Sequence, residues 1–200
     1  MDAAGQRLID AVERIRDLTA GREPTGASHE DADDVVGTIG TDDAIGFDPM
    51  PLLSAFHEHG ADVVVIGQVA GILHGSTELT GDLDLLWSGD AADVEPVAAA
   101  LRAARVHVSD DGTAIDDMDR ALALPKVTFE SSFASGDLCT PRLPWGDVDV
   151  RSFMGRAAVC RVGEVRVRYI GLDDLIAMRR SVGREKDIRR ARELEQLRAG

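Results

Sequence analysis

Leu8, Ile9, Val12, Ile15 and Leu18 recur three and four residues apart, the period of one helix face, and predict an amphipathic helix over residues 3–20. The pattern then stops. Residues 21–46 hold Gly, Pro, Ser, Thr and many Asp with few large apolar side chains, the composition of a linker. Asp48 followed by Pro49 offers an N-cap and a first-turn proline for a helix that runs to about His59, where Gly60 can end it. The predicted organisation is therefore an N-terminal helix and acidic linker over residues 1–46 and a folded domain over 47–200.

Within that domain the apolar positions change period several times. Ala61–Ile66 is a β-branched run bounded by Gly60 and Gly67, too short for an ordinary helix, and reads as a buried strand. Val69–His74 follows as a short helix, Asp82–Trp87 as a second strand, Asp93–Arg105 as an alanine-rich helix and Lys126–Phe133 as a further strand. Asp147–Phe153 alternates like another strand. Ala157–Arg161 and Glu164–Ile170 flank Val162-Gly163 as a hairpin, and Leu172–Arg180 and Lys186–Leu197 read as two helices. The expected class is mixed α/β (α+β), a mixed sheet flanked by helices.

No apolar run reaches the roughly 18 residues of a membrane span, and the N-terminus lacks the basic-then-apolar order of a signal peptide. A cytoplasmic chain with no membrane partner is expected. Cys139 and Cys160 lie in different segments without metal-ligand spacing, which predicts two buried thiols. The net charge of −14 is uneven: residues 1–50 carry −8, residues 51–150 carry −12 and residues 151–200 carry +6. A general nucleic-acid binder is disfavoured by that balance, but the basic last quarter fits either a local anion surface or a solvated, salt-bridged helix face.

The chemistry concentrates in Thr80-Gly-Asp-Leu-Asp-Leu85. In a strand, Asp82 and Asp84 project from one face and Leu83 and Leu85 from the other. Two like charges side by side are costly without a cation between them, which makes the pair a candidate Mg²⁺ site. Taken alone, the triplet fits a solvent-facing edge strand better, since such triplets are common. Upstream, Val65-Ile-Gly67 ends a strand and opens a helix whose first amides suit a phosphate. Downstream, Gly146-Asp-Val-Asp-Val150 offers Asp149, with Asp147 as its competitor, as the third carboxylate of a two-metal site.

Together these stretches resemble the minimal nucleotidyltransferases of the DNA polymerase β superfamily, especially the AbiEii-like and MenT-like toxins of toxin–antitoxin systems. The resemblance covers residues 47–198. It rests on Val65-Ile-Gly67, Leu73-His-Gly-Ser76, Thr80–Leu85, Asp147-Val-Asp149, Leu172–Arg180 and Gly183-Arg-Glu-Lys-Asp187. It implies a nucleotidyltransferase-like sheet and a metal-dependent transferase that uses a nucleoside triphosphate, such as ATP or CTP, and two Mg²⁺ ions. Asp82, Asp84 and Asp149 would hold the metals, and Gly67 would contact phosphate. Gln68 stands where the family carries Gly or Ser, and Arg179 where it often carries Lys.

The resemblance also places Lys126 near the triphosphate, and Ser76, Arg184 and Lys186 complete the expected nucleotide-binding set. It implies the 3′ end of a tRNA as acceptor and a cognate antitoxin as partner. A drug-modifying or protein-modifying transferase, or a nucleotidyltransferase-like binding module without turnover, are the alternatives. His57, His59 and His74 show no metal-ligand spacing, while Trp87 and Trp145 flank the two acid motifs and fit a pocket wall or a core.

Overall fold

The computed structural model describes residues 2–27 and 38–199, so residues 28–37 of the predicted linker lie outside the described residues. Its helices are α1 (Ala3–Thr19), α2 (Met50–Glu58), α3 (Gly67–His74), α4 (Val94–Ala103), α5 (Met118–Leu122), α6 (Val150–Gly155), α7 (Leu172–Val182) and α8 (Glu185–Ala199). Its strands are β1 (Val63–Val65), β2 (Leu85–Trp87), β3 (His107–Asp110), β4 (Thr113–Ala114), β5 (Lys126–Glu130), β6 (Ser135–Cys139), β7 (Ala158–Val162) and β8 (Val165–Tyr169). All eight strands join one mixed sheet in the order β4-β3-β5-β6-β2-β1-β8-β7. β1 runs parallel to β8 and β2 parallel to β6, and the other neighbours are antiparallel.

The two central strands, Val63-Val-Val65 and Leu85-Leu-Trp87, are buried at every position. Continuous apolar strands of this kind require cover on both faces of the sheet. Two groups of helices supply it: α2 packs with α4 and α4 with α5, while α1 packs on α3, α3 on α7 and α7 on α8.

The N-terminal helix is built into the second group. Leu8, Val12 and Ile15 are buried, each contributing about 1.5–3 kcal/mol if fully removed from water. Asp2 caps the helix by accepting from Gly5 N at 2.9 Å and also accepts from Arg161 N of the edge strand β7 at 2.9 Å. Gly5 permits the close approach, since a Cβ there would stand 2.2 Å from Arg161 O. Arg7 reaches across to the Leu73 carbonyl at the end of α3. Farther on, Ala44 and Phe47 are buried in the body of the protein.

One predicted element changes type. Asp147–Phe153, expected as a strand, is a turn followed by α6, which Asp149 caps by accepting from Ser152 N at 3.3 Å. Val150, Phe153 and Met154 are the buried positions, a helical spacing that outweighs the local Val148/Val150 alternation. β2 begins at Leu85 rather than Asp82, and Asp82 forms an isolated bridge to Ser135. β3, β4, α5 and β6 were not expected from the pattern. Among the described residues no helix is long and apolar enough to cross a membrane.

Candidate functional site

Asp82 and Asp84 lie on the chain entering β2, where that segment runs beside β6. Asp82 is buried, and its Oδ1 accepts from Thr80 Oγ1. Leu83, between the two acids, is fully buried and donates its N–H to Ser135 O at 2.9 Å. The approach is tight enough that a Cβ on Gly136 would stand 2.0 Å from Leu83 O. With Leu85 paired to Leu138, the next residue back on each segment brings Asp84 level with Asp137. Asp137 accepts from Lys126 Nζ at 3.1 Å and from Thr128 Oγ1 at 3.0 Å, both from β5.

Asp84 is half-buried and meets solvent through a cavity of about 270 Å³. Burial raises its carboxyl well above the usual carboxylate range, and the charges of Asp82 and Asp137 push the same way. Arg184 and Arg190 partly oppose the shift. The backbone at Gly67, at φ +63°, passes so close that a Cβ there would stand 1.9 Å from Asp84 Oδ2. Gly67 opens α3, so the first turn of that helix and the Asp84 carboxylate share one corner of the cavity.

The opposite wall comes from α7 and α8 and is basic. Arg179, Arg184, Lys186 and Arg190 line it, with Asp187 among them. Arg184 Nε donates to Asp187 Oδ2 at 2.6 Å, and Arg190 donates to Glu78 Oε1 at 2.9 and 2.6 Å. Leu143, Trp145, Leu175, Met178 and Val182 supply an apolar side. The cavity thus sets carboxylates from the sheet against guanidinium and ammonium groups from the helices, beside a helix N-terminus. Among the described residues, no three acid, His or Cys side chains stand close enough to enclose a metal ion as they are placed.

Of the residues singled out from the sequence, Gly67, Gln68, Asp82, Asp84, Lys126, Arg184 and Lys186 all line this cavity. Ser76 does not; its hydroxyl accepts from Gln68 Nε2 at 3.0 Å and donates to Glu193 at 2.9 Å. Asp149 is not brought there either, being an exposed cap on α6, because its segment leaves the sheet instead of pairing within it. Asp137 is the acid that stands beside the pair. Its strand was missed because Ser135-Gly-Asp-Leu-Cys139 carries few apolar positions, yet its Gly-Asp-Leu repeats the Gly81-Asp-Leu83 of the first acid motif. Trp145 lines the cavity, and Trp87 belongs to the core.

His74 also serves structure: its Nε2 lies 2.8 Å from Ile170 O and its ring packs against Tyr169. Both cysteines are buried and free, as expected. Much of the basic last quarter is ion-paired, through Arg156–Asp174, Arg180–Glu195, Arg184–Asp187 and Arg198–Asp173 within it and through Arg151–Asp90, Arg168–Asp62 and the pairs of Arg189 and Arg190 with Glu78 outside it. A larger cavity, about 420 Å³, lies between α2, β1 and β8, but there Arg168 ion-pairs with Asp62 and donates to Met154 O.

No protein-family profile matches the chain, and no curated protein matches its sequence.

Proposed function

We propose that this protein is a Mg²⁺-dependent nucleotidyltransferase, similar to the minimal AbiEii-like and MenT-like enzymes of the DNA polymerase β superfamily, that moves a nucleoside monophosphate from a nucleoside triphosphate to an acceptor hydroxyl. The observation that carries this reading is the two-walled cavity, with Asp82, Asp84 and Asp137 on the sheet side and Arg179, Arg184, Lys186 and Arg190 on the helix side. A triphosphate bridged to divalent cations needs both walls.

The donor set suits Mg²⁺: the candidate ligands are all oxygen, and Asp84 is held away from its ionised form by burial and by the two carboxylates near it, a strain that a divalent cation relieves. Asp82 and Asp84 would hold the ion, and Asp137 takes the place expected of Asp149. Bound there, Mg²⁺ supplies neutralisation of phosphate charge and Lewis acidity. The chain itself orients the donor. Gly67 leaves room for phosphate oxygens against the first amides of α3, the basic wall offsets the charge on the leaving pyrophosphate, and Lys126 holds the Asp137 carboxylate by an ion pair. The acceptor oxygen then forms its bond to the α-phosphorus as the bond to pyrophosphate breaks, and its proton passes to solvent. Positioning and electrostatics carry such a reaction without a covalent enzyme intermediate.

The resemblance favours the 3′ end of a tRNA as acceptor and an antitoxin as regulatory partner. The test is to incubate the purified chain with each labelled nucleoside triphosphate, Mg²⁺ and either total RNA or total protein. Label entering RNA with the wild type and lost with Asp84→Asn supports the proposal. Label entering protein instead replaces the acceptor, and no label with any donor overturns the enzyme reading in favour of a binding module.

A further inference from the structure

Gln68 departs from the residue expected at the phosphate corner, and its side chain is committed elsewhere. It is buried, with Oε1 accepting from Arg179 Nη2 at 2.7 Å and Nε2 donating to Ser76 Oγ at 3.0 Å and to Glu78 O at 2.8 Å. These partners fix the orientation of the amide, since reversing it would set an NH₂ group against a guanidinium and an oxygen against a carbonyl. Gly71 leaves the space, because a Cβ there would stand 3.0 Å from Gln68 Oε1 and 3.1 Å from Arg179 Nη2.

Arg179 is 4% exposed and, among the described residues, hydrogen-bonds only to neutral acceptors. Its Nη2 meets two neutral acceptors, Gln68 Oε1 and Gly67 O, the latter at 3.1 Å, and its Nη1 is buried with no partner. The nearby acids are engaged by others: Asp187 by Arg184, Glu78 by Arg190, and Glu193 by Ser76. A buried guanidinium without a direct ion-pair partner is costly, and burial, with the charge of Arg190, lowers its pKa to about 10 against the opposing charges of Asp187, Glu78 and Glu193.

We infer that Gln68 is a positioning residue that holds Arg179 by neutral hydrogen bonds rather than an ion pair under the nucleotide corner, so that the phosphates of the bound donor supply its direct counter-ion. This rests on the nucleotidyltransferase reading of the cavity. A neutral amide is what the role requires. An apolar residue at position 68 would leave Arg179 unheld, and an acid there would hold it but cancel its charge. Gln68 also ties this charge to the C-terminal helix through Ser76 and Glu193, so the phosphate corner and α8 are fixed together.

The experiment measures binding of inorganic tripolyphosphate, with Mg²⁺, to the full chain by calorimetry, together with Tm. Gln68→Glu is expected to keep or raise Tm while weakening binding by about tenfold or more, the scale of one close charge removed from a desolvated site. Gln68→Leu is expected to lower both Tm and affinity. Arg179→Met should weaken binding as Gln68→Glu does, and Arg179→Lys should recover part of it.

Wild-type affinity in Gln68→Glu or in Arg179→Met overturns the inference and leaves nucleotide transfer standing if that assay still succeeds. Loss of tripolyphosphate binding in both variants, with no transfer by the wild type, keeps the inference and removes the enzyme reading. A wild type that binds no tripolyphosphate overturns both.

Discussion

Gly67 and Asp84 meet where only glycine fits: the backbone at 67 has φ +63°, and a Cβ would stand 1.9 Å from Asp84 Oδ2. The strand end, the turn into α3 and the acidic pair are therefore one unit. Gly67→Ala should destabilise the fold by about 1–3 kcal/mol from backbone strain alone. It should also displace the Asp84 carboxylate, so that residual transfer activity falls more than the lost folded fraction explains. Activity per folded molecule, measured beside a denaturant titration, separates the two effects.

The same closeness explains what the sequence could and could not tell. Asp82, Asp84 and Gly67 were legible because local spacing sets their relation: one residue between the acids, and a glycine at a strand-to-helix turn. Lys126, Arg184 and Lys186 reach the same cavity, but only the chain's long-range pairing brings them there. Asp149, the third acid expected from the sequence, does not reach the cavity for the same reason. Choosing between Asp137 and Asp149 depends on which segment pairs with β2, and the Val148/Val150 alternation imitated a strand in a stretch where Val150, Phe153 and Met154 bury one helical face. The hydrogen bonds of Gln68 to Arg179 and of Ser76 to Glu193 are invisible in local spacing, since each joins residues more than a hundred positions apart along the chain.

The difference between Asp137 and Asp149 is open to direct measurement. Asp137→Asn should reduce nucleotide transfer by about 10²–10³-fold, the usual cost of removing one preorganised charged group, with little change in fold. Asp149→Ala should leave turnover within about threefold of wild type and cost about 0.5–2 kcal/mol of stability through loss of the α6 cap. Equal losses of activity in the two variants would restore Asp149 to the site.

Asp84→Asn should separate function from stability. The folded protein disfavours ionised Asp84, through burial first and then through Asp82 and Asp137, so in metal-free buffer at neutral pH the amide removes a penalty. An increase of about 0.5–2 kcal/mol is expected, or about 2–4 °C in Tm per kcal/mol for a chain of this size. Transfer should be lost, and added Mg²⁺ should raise the Tm of the wild type but not of the variant. A destabilised Asp84→Asn protein would contradict this account of the cavity.

His74 should set part of the pH dependence of stability. Burial lowers its pKa below the ordinary 6.5, Arg7 and Arg179 add to the shift, and the Ile170 carbonyl only partly opposes it. The unfolded chain therefore binds a proton more readily than the folded one. The sign follows: the contribution is fully present above pH 6.5 and is lost as pH falls from there through the lower folded value. Tm should fall over that interval in the wild type. His74→Gln keeps an amide donor for Ile170 O and has no proton to gain, so its Tm should change less across the same interval. Parallel pH profiles for the two proteins would assign the acid sensitivity to other groups, with the carboxylates of the cavity as the first to test.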